Sequence, residues 1–229
     1  MAKLIHSRSL RSSEPHLHIN CSTLNETLLE SELFGHEKGS FTGAATAKPG
    51  LFEVADGGTL FLDEVAEMSA GMQAKLLQVL DNGELRRVGS TSFVNVDVRI
   101  ISATNKDIER QVVEGRFRRD LLFRLNVVSL ELPPLRKRRE DIPALVHLYL
   151  DRYRLPGQPV RTLAAPAMAR PHGYSWPGNV RELANVIEGL VLLAQSDEIQ
   201  LSDLPSSLSA LGAADAEVDE TEPLPLAEI

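Results

Sequence analysis

The sequence predicts an α/β protein with a parallel β-sheet, followed by a smaller helical domain. Strand and helix patterns alternate through the first 132 residues, which is typical of a parallel sheet. The apolar, β-prone run Thr59–Leu62 is typical of a strand buried on both faces. From Ile142 onward the pattern is helical and no strand is predicted. We therefore predict three regions: an α/β core at 1–153, a helical domain at 154–208 and an acidic tail, expected to be disordered, at 209–229.

The first half of the core contains two strand patterns and two helix patterns. Residues 16–20 alternate polar and apolar side chains, and 24–34 form an amphipathic helix rich in Leu and Glu. After the buried strand, apolar residues recur at helical spacing over 70–80, and Asp81-Asn82-Gly83 ends that helix. These elements would form one strand–helix–strand–helix unit.

The second half of the core repeats this alternation. We predict a hairpin at 85–96 around Gly89-Ser90 and a second buried strand at 96–102. The remaining predicted elements are helices at 106–114 and 117–125, a strand at 127–132 closed by Pro133-Pro134, and helices at 142–153, 162–169 and 179–193.

Composition and charge limit the classes of protein to which this chain can belong. The chain has 229 residues, 43% hydrophobic and 24% charged, as expected of a soluble globular protein. No apolar run reaches the ~18–20 residues of a membrane span. The single Cys21 excludes an intramolecular disulfide and fits the reducing cytoplasm. No Lys or Arg follows Arg181, whereas 11 Asp and Glu do, so we predict no DNA-binding module in this chain.

Two adjacent carboxylates, Asp63 and Glu64, follow the buried strand. Ligands of open α/β sheets bind at the carboxyl ends of the strands, and carboxylates there usually hold a cation or activate a molecule. The pattern resembles the Walker B signature of nucleotide hydrolases, in which Asp63 would hold Mg²⁺ and Glu64 would polarise the attacking water. A strand followed by a polar turn is the alternative.

A loop framed by glycines precedes this strand. It runs from Gly35 to Ala44 and carries one large apolar residue, Phe41, at its tip. A hydrophobic loop tip indicates contact with a partner. The alternative is that Phe41 folds back onto the core.

Three motifs in order resemble the central AAA+ ATPase domain of bacterial sigma-54-dependent transcription activators, the enhancer-binding proteins. They are the loop motif at 32–44, ELFGHEKGSFTGA, with Ser40 in place of the family's Ala; the Walker B block at 55–64, ADGGTLFLDE; and the second-sensor motif at 176–183, WPGNVREL. The resemblance covers roughly residues 2–206 and implies the AAA+ fold with a helical lid.

The resemblance also implies cofactors, partners and roles. The cofactors would be ATP and Mg²⁺, and the partners sigma-54 RNA polymerase holoenzyme and further copies of the chain in a ring. Implied catalytic residues are Asn20, Asp63, Glu64, Thr104, Asn105, Arg118 and Arg124. Implied nucleotide-binding residues are Asp56, Gly57, Gly58, Thr59, Asp63 and Arg181, with Asp63 also the metal ligand. Implied sigma-54-binding residues are Gly39, Ser40, Phe41, Thr42, Gly43 and Ala44.

Individual roles follow the same resemblance. Asn20 would hydrogen-bond Glu64 and gate it, and Thr104 with Asn105 would sense the γ-phosphate. Arg118 and Arg124 would reach into the next subunit's site. Arg181 would carry the nucleotide state to the lid, and the segment Arg87-Val88-Gly89 matches a second, assisting loop. Taken singly, Arg118 and Arg124 are also compatible with solvated helix charges.

One element of the family pattern is absent. The sequence contains no Gly-Lys dipeptide, so we expect it to start just after the P-loop and to lack the strand before it. On that expectation these 229 residues alone would not hydrolyse ATP and would fold poorly. The alternative hypothesis is a non-hydrolysing interaction module that binds sigma-54 or intact AAA+ subunits. An unrelated AAA+ protease or helicase subunit is disfavoured by the loop motif.

Overall fold

The computed structural model describes residues 1–157, 159, 161–194 and 196–209. The chain divides into two compact units, Met1–Ser129 and the residues from Leu130 onward. The first unit contains helices α1 (Ala2–Ser7), α2 (Glu26–Phe34), α3 (Leu51–Val54), α4 (Ala70–Asn82), α5 (Ile108–Val113) and α6 (Arg119–Leu125). Its strands are β1 (His16–Asn20), β2 (Gly35–His36), β3 (Lys48–Pro49), β4 (Thr59–Asp63), β5 (Glu84–Arg86), β6 (Phe93–Asn95) and β7 (Arg99–Ser102).

Strands β1, β4 and β7 form a parallel sheet, as the sequence predicts, and β4 is its central strand. Asn20 pairs in register with Asp63, and Leu62 pairs with Ser102. Because the strands are parallel, their carboxyl ends reach the same edge. The predicted hairpin is also present, as the antiparallel pair β5–β6.

Helices α4 and α6 help cover one face of this sheet. Leu60 and Leu62 of β4 are fully buried in one cluster with Leu76 of α4 and Leu121 of α6. Full burial of such a side chain contributes about 1.5–3 kcal/mol. The other face is less covered, since Phe61 is only half-buried and stacks on the exposed His18 with ring centroids 5.0 Å apart. The prediction that β4 is buried on both faces is therefore wrong, because the face that carries Phe61 is only partly covered.

The predicted strand at 127–132 is wrong. No strand is present there, and four apolar side chains, those of Val127, Val128, Leu130 and Leu132, are 58–80% exposed. A β-prone segment becomes a strand only where a neighbour completes its hydrogen-bond ladder. Within the described part of the chain, no strand pairs with this segment.

The second unit is mainly helical, with α7 (Ile142–Arg152), α8 (Ala165–Gly173), α9 (Asn179–Leu193) and the short α10 (Ser206–Ser209). Trp176 is fully buried at its centre, and its indole Nε1 donates to the carbonyl of Pro171 at 2.8 Å. The prediction that no strand follows Ile142 is wrong in detail. Strands β8 (Thr162–Leu163) and β9 (Glu198–Ile199) pair in parallel. A strand of two residues is too short to show the alternation of polar and apolar side chains that predicts strands.

The division between the units falls after Ser129, whereas the sequence places the domain boundary after residue 153. Ile142, Val146 and Leu150 on α7 are buried in the same cluster as Trp176, so this helix belongs to the second unit. Residues 210–229 lie outside the described residues, and the disorder expected of the tail stays a prediction. No helix in the described ranges is long and apolar enough to cross a membrane.

Candidate functional site

Polar residues from all three strands meet at the carboxyl edge of the parallel sheet. Asn20 ends β1, Asp63 ends β4, and residues 103–105 follow β7. Backbone hydrogen bonds continue past the strands: Cys21 donates to the carbonyl of Asp63 at 2.9 Å, and Val65 donates to that of Ala103 at 3.0 Å. The structure therefore brings together five of the predicted catalytic residues: Asn20, Asp63, Glu64, Thr104 and Asn105.

Glu64 has an unusual backbone conformation. Its φ of 54° and ψ of 46° lie in the left-handed region, which costs a residue other than glycine about 1–2 kcal/mol. Strain of this kind is concentrated at functional sites. The conformation directs the Glu64 carboxylate to the β7 side, where Oε2 accepts from the backbone N–H of Asn105 at 3.2 Å.

Asp63 remains open to a ligand. Its side chain is 35% exposed, and its Oδ1 accepts from the backbone N–H of Glu64 at 3.1 Å. His18 Nε2 lies 3.8 Å from Asp63 Oδ2. No sequence motif includes His18, although strand alternation places it on the same face as Asn20.

Asn20 does not hydrogen-bond Glu64 in this structure. Its Oδ1 accepts from the backbone N–H of Ser22 at 2.8 Å and from the Ser22 hydroxyl at 2.7 Å. The Thr104 hydroxyl accepts from the backbone N–H of Lys106 at 3.1 Å. Asn20 and Thr104 therefore stabilise their own turns, and the gating contact implied by the resemblance stays a proposal.

Cys21 is buried at this edge of the sheet, directly after Asn20 and next to Asp63. Burial, with smaller contributions from Asp63 and Glu64, raises the pKa of its thiol to about 12. A nucleophilic cysteine needs a lowered pKa, so Cys21 is a small buried core residue and not a nucleophile.

Asp56, Gly57, Gly58 and Thr59 are not part of this edge, although the motif implies that they bind nucleotide. They precede or begin β4, so the length of the strand, about 13 Å, separates them from Asp63. Their polar groups have internal partners: Asp56 Oδ1 accepts from the backbone N–H of Asp97 at 2.7 Å, and Thr59 Oγ1 lies 3.0 Å from His6 Nδ1. The structure gives these residues a structural role.

Both candidate arginine fingers have local partners. Arg118 forms an ion pair with Asp120, with Nη2 2.6 Å from Oδ2, and this hydrogen bond lowers the pKa of Asp120. Arg124 donates to the carbonyl of Leu80 at 2.8 Å and lies 3.2 Å from Asp81 Oδ1. The Arg118 and Arg124 side chains are 45% and 51% exposed.

Arg181 belongs to the second unit. It is exposed in the first turn of α9 and lines an open cavity of about 790 Å³. Asn185, Gly189 and Leu193 follow it at four-residue intervals along the same helix face and line the same cavity.

The glycine-framed loop begins at β2 and leads towards β3, and these two strands of two residues each pair antiparallel. Its six predicted partner-binding residues form a compact tip, closed by a hydrogen bond from Gly39 N–H to the carbonyl of Ala44 at 2.9 Å. Thr42 and Gly43 are exposed and Ala44 is buried. Phe41 is half-buried, with its ring edge-on to that of His36 at 5.1 Å, so it is partly folded back.

Arg87 connects the two loops. Its Nη2 lies 2.6 Å from Glu53 Oε2, and its Nη1 lies 3.1 Å from Glu37 Oε1 at the base of the glycine-framed loop. The hydrogen bond from Arg87 lowers the pKa of Glu53. Ser40 packs so closely against Gly89 that a Cβ there would lie 2.7 Å from the Ser40 Cβ. The contacts of Glu37 and Glu53 with Arg87 were not predictable from the motifs, because only the fold brings these residues together.

The donor set at the sheet edge fits a magnesium ion. Mg²⁺ prefers oxygen ligands and is often bound by one or two carboxylates plus substrate phosphates. Asp63 and Glu64 offer such oxygens. Across the described ranges, no group of three or more His, Cys, Asp or Glu side chains is arranged to hold a metal alone. A cation here would therefore depend on water and a bound substrate.

Comparison with known proteins identifies the relatives. The chain is 46% identical over 230 residues to the transcriptional regulatory protein ZraR of Klebsiella oxytoca, an alignment covering 100% of this chain and 52% of that protein. It is 51% identical over 200 residues to the Nif-specific regulatory protein of Herbaspirillum seropedicae, covering 87% and 37%. The chain thus spans about half or less of the length of these curated relatives.

A solved structure shows the same fold. NtrX of Brucella abortus in complex with ADP matches with a TM-score of 0.83 and 39% identity, over 91% of this chain and 47% of that one. The family model of the AAA+ ATPase lid domain matches residues 136–221, and that of the sigma-54 interaction domain matches residues 1–131. The chain therefore belongs to the family of sigma-54 interaction domains and has the AAA+ fold.

Proposed function

We propose that this chain is the ATPase module of a sigma-54-dependent transcription activator and couples ATP hydrolysis to remodelling of sigma-54 RNA polymerase. The observation that carries the proposal is the meeting of Asn20, Asp63, Glu64 and Asn105 at one sheet edge, within a chain of this family. The matched NtrX structure holds ADP, which supports a nucleotide as the ligand. The proposal concerns the full-length protein that contains this sequence.

Each carboxylate has a distinct task in this mechanism. Asp63, with its exposed oxygens, would hold Mg²⁺ largely through water, and the ion would neutralise phosphate charge. Glu64, fixed by its left-handed backbone and by Asn105, would orient the attacking water and accept its proton. Asn20 would reach Glu64 by exchanging its contacts with Ser22. Such an exchange gates the base without any titration.

The arginines would act on a neighbouring copy of the chain. Arg118 and Arg124 are about half-exposed, and a surface ion pair such as Arg118–Asp120 is screened by water and contributes little to stability. Exchanging such a pair for a nucleotide phosphate therefore costs little. An arginine supplied in trans is worth about 10³–10⁵ in rate, which would make hydrolysis depend on ring assembly.

The loop tip would contact sigma-54. Phe41 and Thr42 lie at the tip, and Arg87 holds the base of the loop through Glu37. Since Arg87 lies in the second loop, its ion pair with Glu37 would transmit movement of one loop to the other, while Glu53 on α3 anchors Arg87 to the core.

Two substitutions in the full-length protein test the two halves of this proposal. Glu64→Gln should lower the rate of ATP hydrolysis by about 10²–10⁴, because the amide cannot accept the proton of the attacking water. Phe41→Ala should leave hydrolysis unchanged and abolish opening of a sigma-54 promoter. The measurements are phosphate release and open-complex formation with purified sigma-54 polymerase.

Glu67→Gln is the matched control for Glu64, because Glu67 lies three residues further on and pairs with Lys106 on the surface. It should keep both activities. Unchanged hydrolysis in Glu64→Gln would refute the assigned base. A full-length protein that binds sigma-54 without hydrolysing ATP would instead favour the non-hydrolysing interaction module.

A further inference from the structure

Gln73 is a buried polar side chain to which the sequence motifs assign no role. It lies in the second turn of α4 and is 1% exposed. Its Nε2 donates to the carbonyls of Met68 at 2.8 Å and Arg116 at 2.9 Å. Its Oε1 accepts from the backbone N–H of Arg118 at 2.9 Å. A buried amide with both donor hydrogens and its oxygen in use is held firmly.

The two Gln73 bonds to the later segment clamp a single residue. Arg116 C=O and Arg118 N–H flank Phe117, whose ring is 3% exposed in the core. Gln111 of α5 also holds this segment, because its backbone carbonyl accepts from the backbone N–H groups of Arg116 and Phe117 at 2.9 and 3.1 Å. The backbone that leads into Arg118 is therefore fixed, whereas the half-exposed arginine side chain is held by its surface ion pair with Asp120.

The third Gln73 bond reaches the other part of the site. Met68 directly follows the helical turn Val65–Glu67, which begins immediately after Glu64. Gln73 thus joins, through one side chain, the segment leaving the hydrolytic carboxylate and the segment carrying a candidate finger. Arg116 and Arg118 lie 43 and 45 residues after Gln73 in the sequence.

We propose that Gln73 is a positioning residue that sets the backbone of Arg118 relative to Glu64. The inference rests on the proposed function, in which Arg118 completes the site of a neighbouring copy. Gln73 then links the two active sites in which one subunit takes part: its own, through Met68, and its neighbour's, through Arg118.

Subunit mixing separates this role from a purely structural one. Gln73→Met keeps the length of the side chain and removes its hydrogen bonds. In the full-length protein this variant should hydrolyse ATP about 10²-fold more slowly with unchanged KM, because a 1 Å displacement of a catalytic group costs about that much. Gln78→Met, an exposed change on the same helix, is the matched control and should behave as wild type.

The deciding measurement mixes Gln73→Met with equal amounts of Glu64→Gln. The second variant cannot hydrolyse ATP but offers an intact Arg118 to its neighbour. About half of the Gln73→Met subunits then receive an intact Arg118, so mixing should raise the mean rate per Gln73→Met subunit about 50-fold, and it should also rescue Arg118→Ala mixed in the same way. Damage confined to a subunit's own site would not be repaired by a neighbour.

Each other outcome overturns a defined statement. Rescue of Arg118→Ala without rescue of Gln73→Met refutes the positioning role and leaves the proposed function standing. Failure to rescue either refutes the trans role of Arg118, and the inference with it. Wild-type hydrolysis by Gln73→Met also refutes the inference. If Gln73→Met shows no cooperative thermal transition, Gln73→Asn, one methylene shorter, is used in the same mixtures.

Discussion

The two ends of the central strand β4 use polar residues in opposite ways. At the amino end, Asp56 and Thr59 are bonded to Asp97 and His6, and the backbone N–H of Thr59 donates to the carbonyl of Pro15 at 2.8 Å. At the carboxyl end, Asp63 is partly exposed and Glu64 is held in a strained conformation. One continuous motif therefore contains a structural half and a chemical half.

The difference shows that residues of one short sequence motif need not lie in one site. A strand of five residues separates its two ends by about 13 Å, which is more than one ligand group bridges. The amino end should therefore govern stability and the carboxyl end activity. Three predictions, in order of decreasing effect on the free energy of unfolding, test that division.

Gly58→Ala should destabilise the protein most. A Cβ at Gly58 would lie 2.2 Å from the carbonyl oxygen of Pro15, and that oxygen cannot retreat without losing its bond to Thr59. Overpacking against backbone costs about 3 kcal/mol. Urea denaturation measures the change.

Gly71→Ala is the control for this substitution. Gly71 lies in helix α4, and a Cβ there would meet only side-chain atoms, Glu26 Oε1 at 3.4 Å and Ser69 Oγ at 3.8 Å. Alanine at such a helical position should stabilise by about 0.5–1 kcal/mol. Equal stability of the two variants would contradict the structural role of the amino end.

Glu53, just before the amino end of β4, should make stability depend on pH. The hydrogen bond from Arg87, aided by the N–H of Gly50, lowers the pKa of this carboxyl below its ordinary 4.5. Ionised Glu53 therefore stabilises the fold above pH 4.5, and this contribution is lost as the pH falls through the lower, folded-state pKa. Glu53→Gln should flatten the acid side of the stability curve, measured by urea denaturation between about pH 7 and 3.

Glu109→Gln, at an exposed position of α5, should keep the wild-type pH dependence. A variant of Glu53 with the same acid slope as wild type would show that Arg87 contributes nothing to stability through this pair.

Glu64→Gly should change stability least and activity most. Glycine adopts the left-handed conformation without strain, which offsets its greater backbone entropy, so the free energy of unfolding should stay within about 1 kcal/mol of wild type. Hydrolysis by the full-length protein should be lost with the carboxylate. A fall in stability of more than about 2 kcal/mol would mean that the Glu64 side chain holds the fold.

The sequence was sufficient for elements with a clear period or a clear end signal. Residues 16–20 are a strand as predicted. The strand predicted at 59–62 extends one residue further, to Asp63, and the helix predicted at 70–80 extends two residues further, to Asn82. The meeting of Asn20, Asp63 and Asn105 was also predictable, because parallel strands place their carboxyl ends at one edge.

Other features depend on contacts that no local pattern contains. The segment 127–132 is apolar and β-prone, yet a strand requires a partner, which the pattern cannot supply. Gln73 and Arg118 lie 45 residues apart, so their bond could not be read from either motif. Backbone strain at Glu64 is likewise invisible in the sequence, since glutamate has no preference for the left-handed region.

The raised pKa of Cys21 allows a cysteine introduced elsewhere in the chain to be labelled selectively. With a pKa of about 12, on the order of one thiol in 10⁵ is ionised at neutral pH, and only the thiolate reacts with maleimides. Because the sequence has no other cysteine, a cysteine introduced at the exposed Thr42 could be labelled selectively with a fluorophore while Cys21 is left in place. Movement of the loop tip could then be followed optically within these 229 residues with the core unaltered.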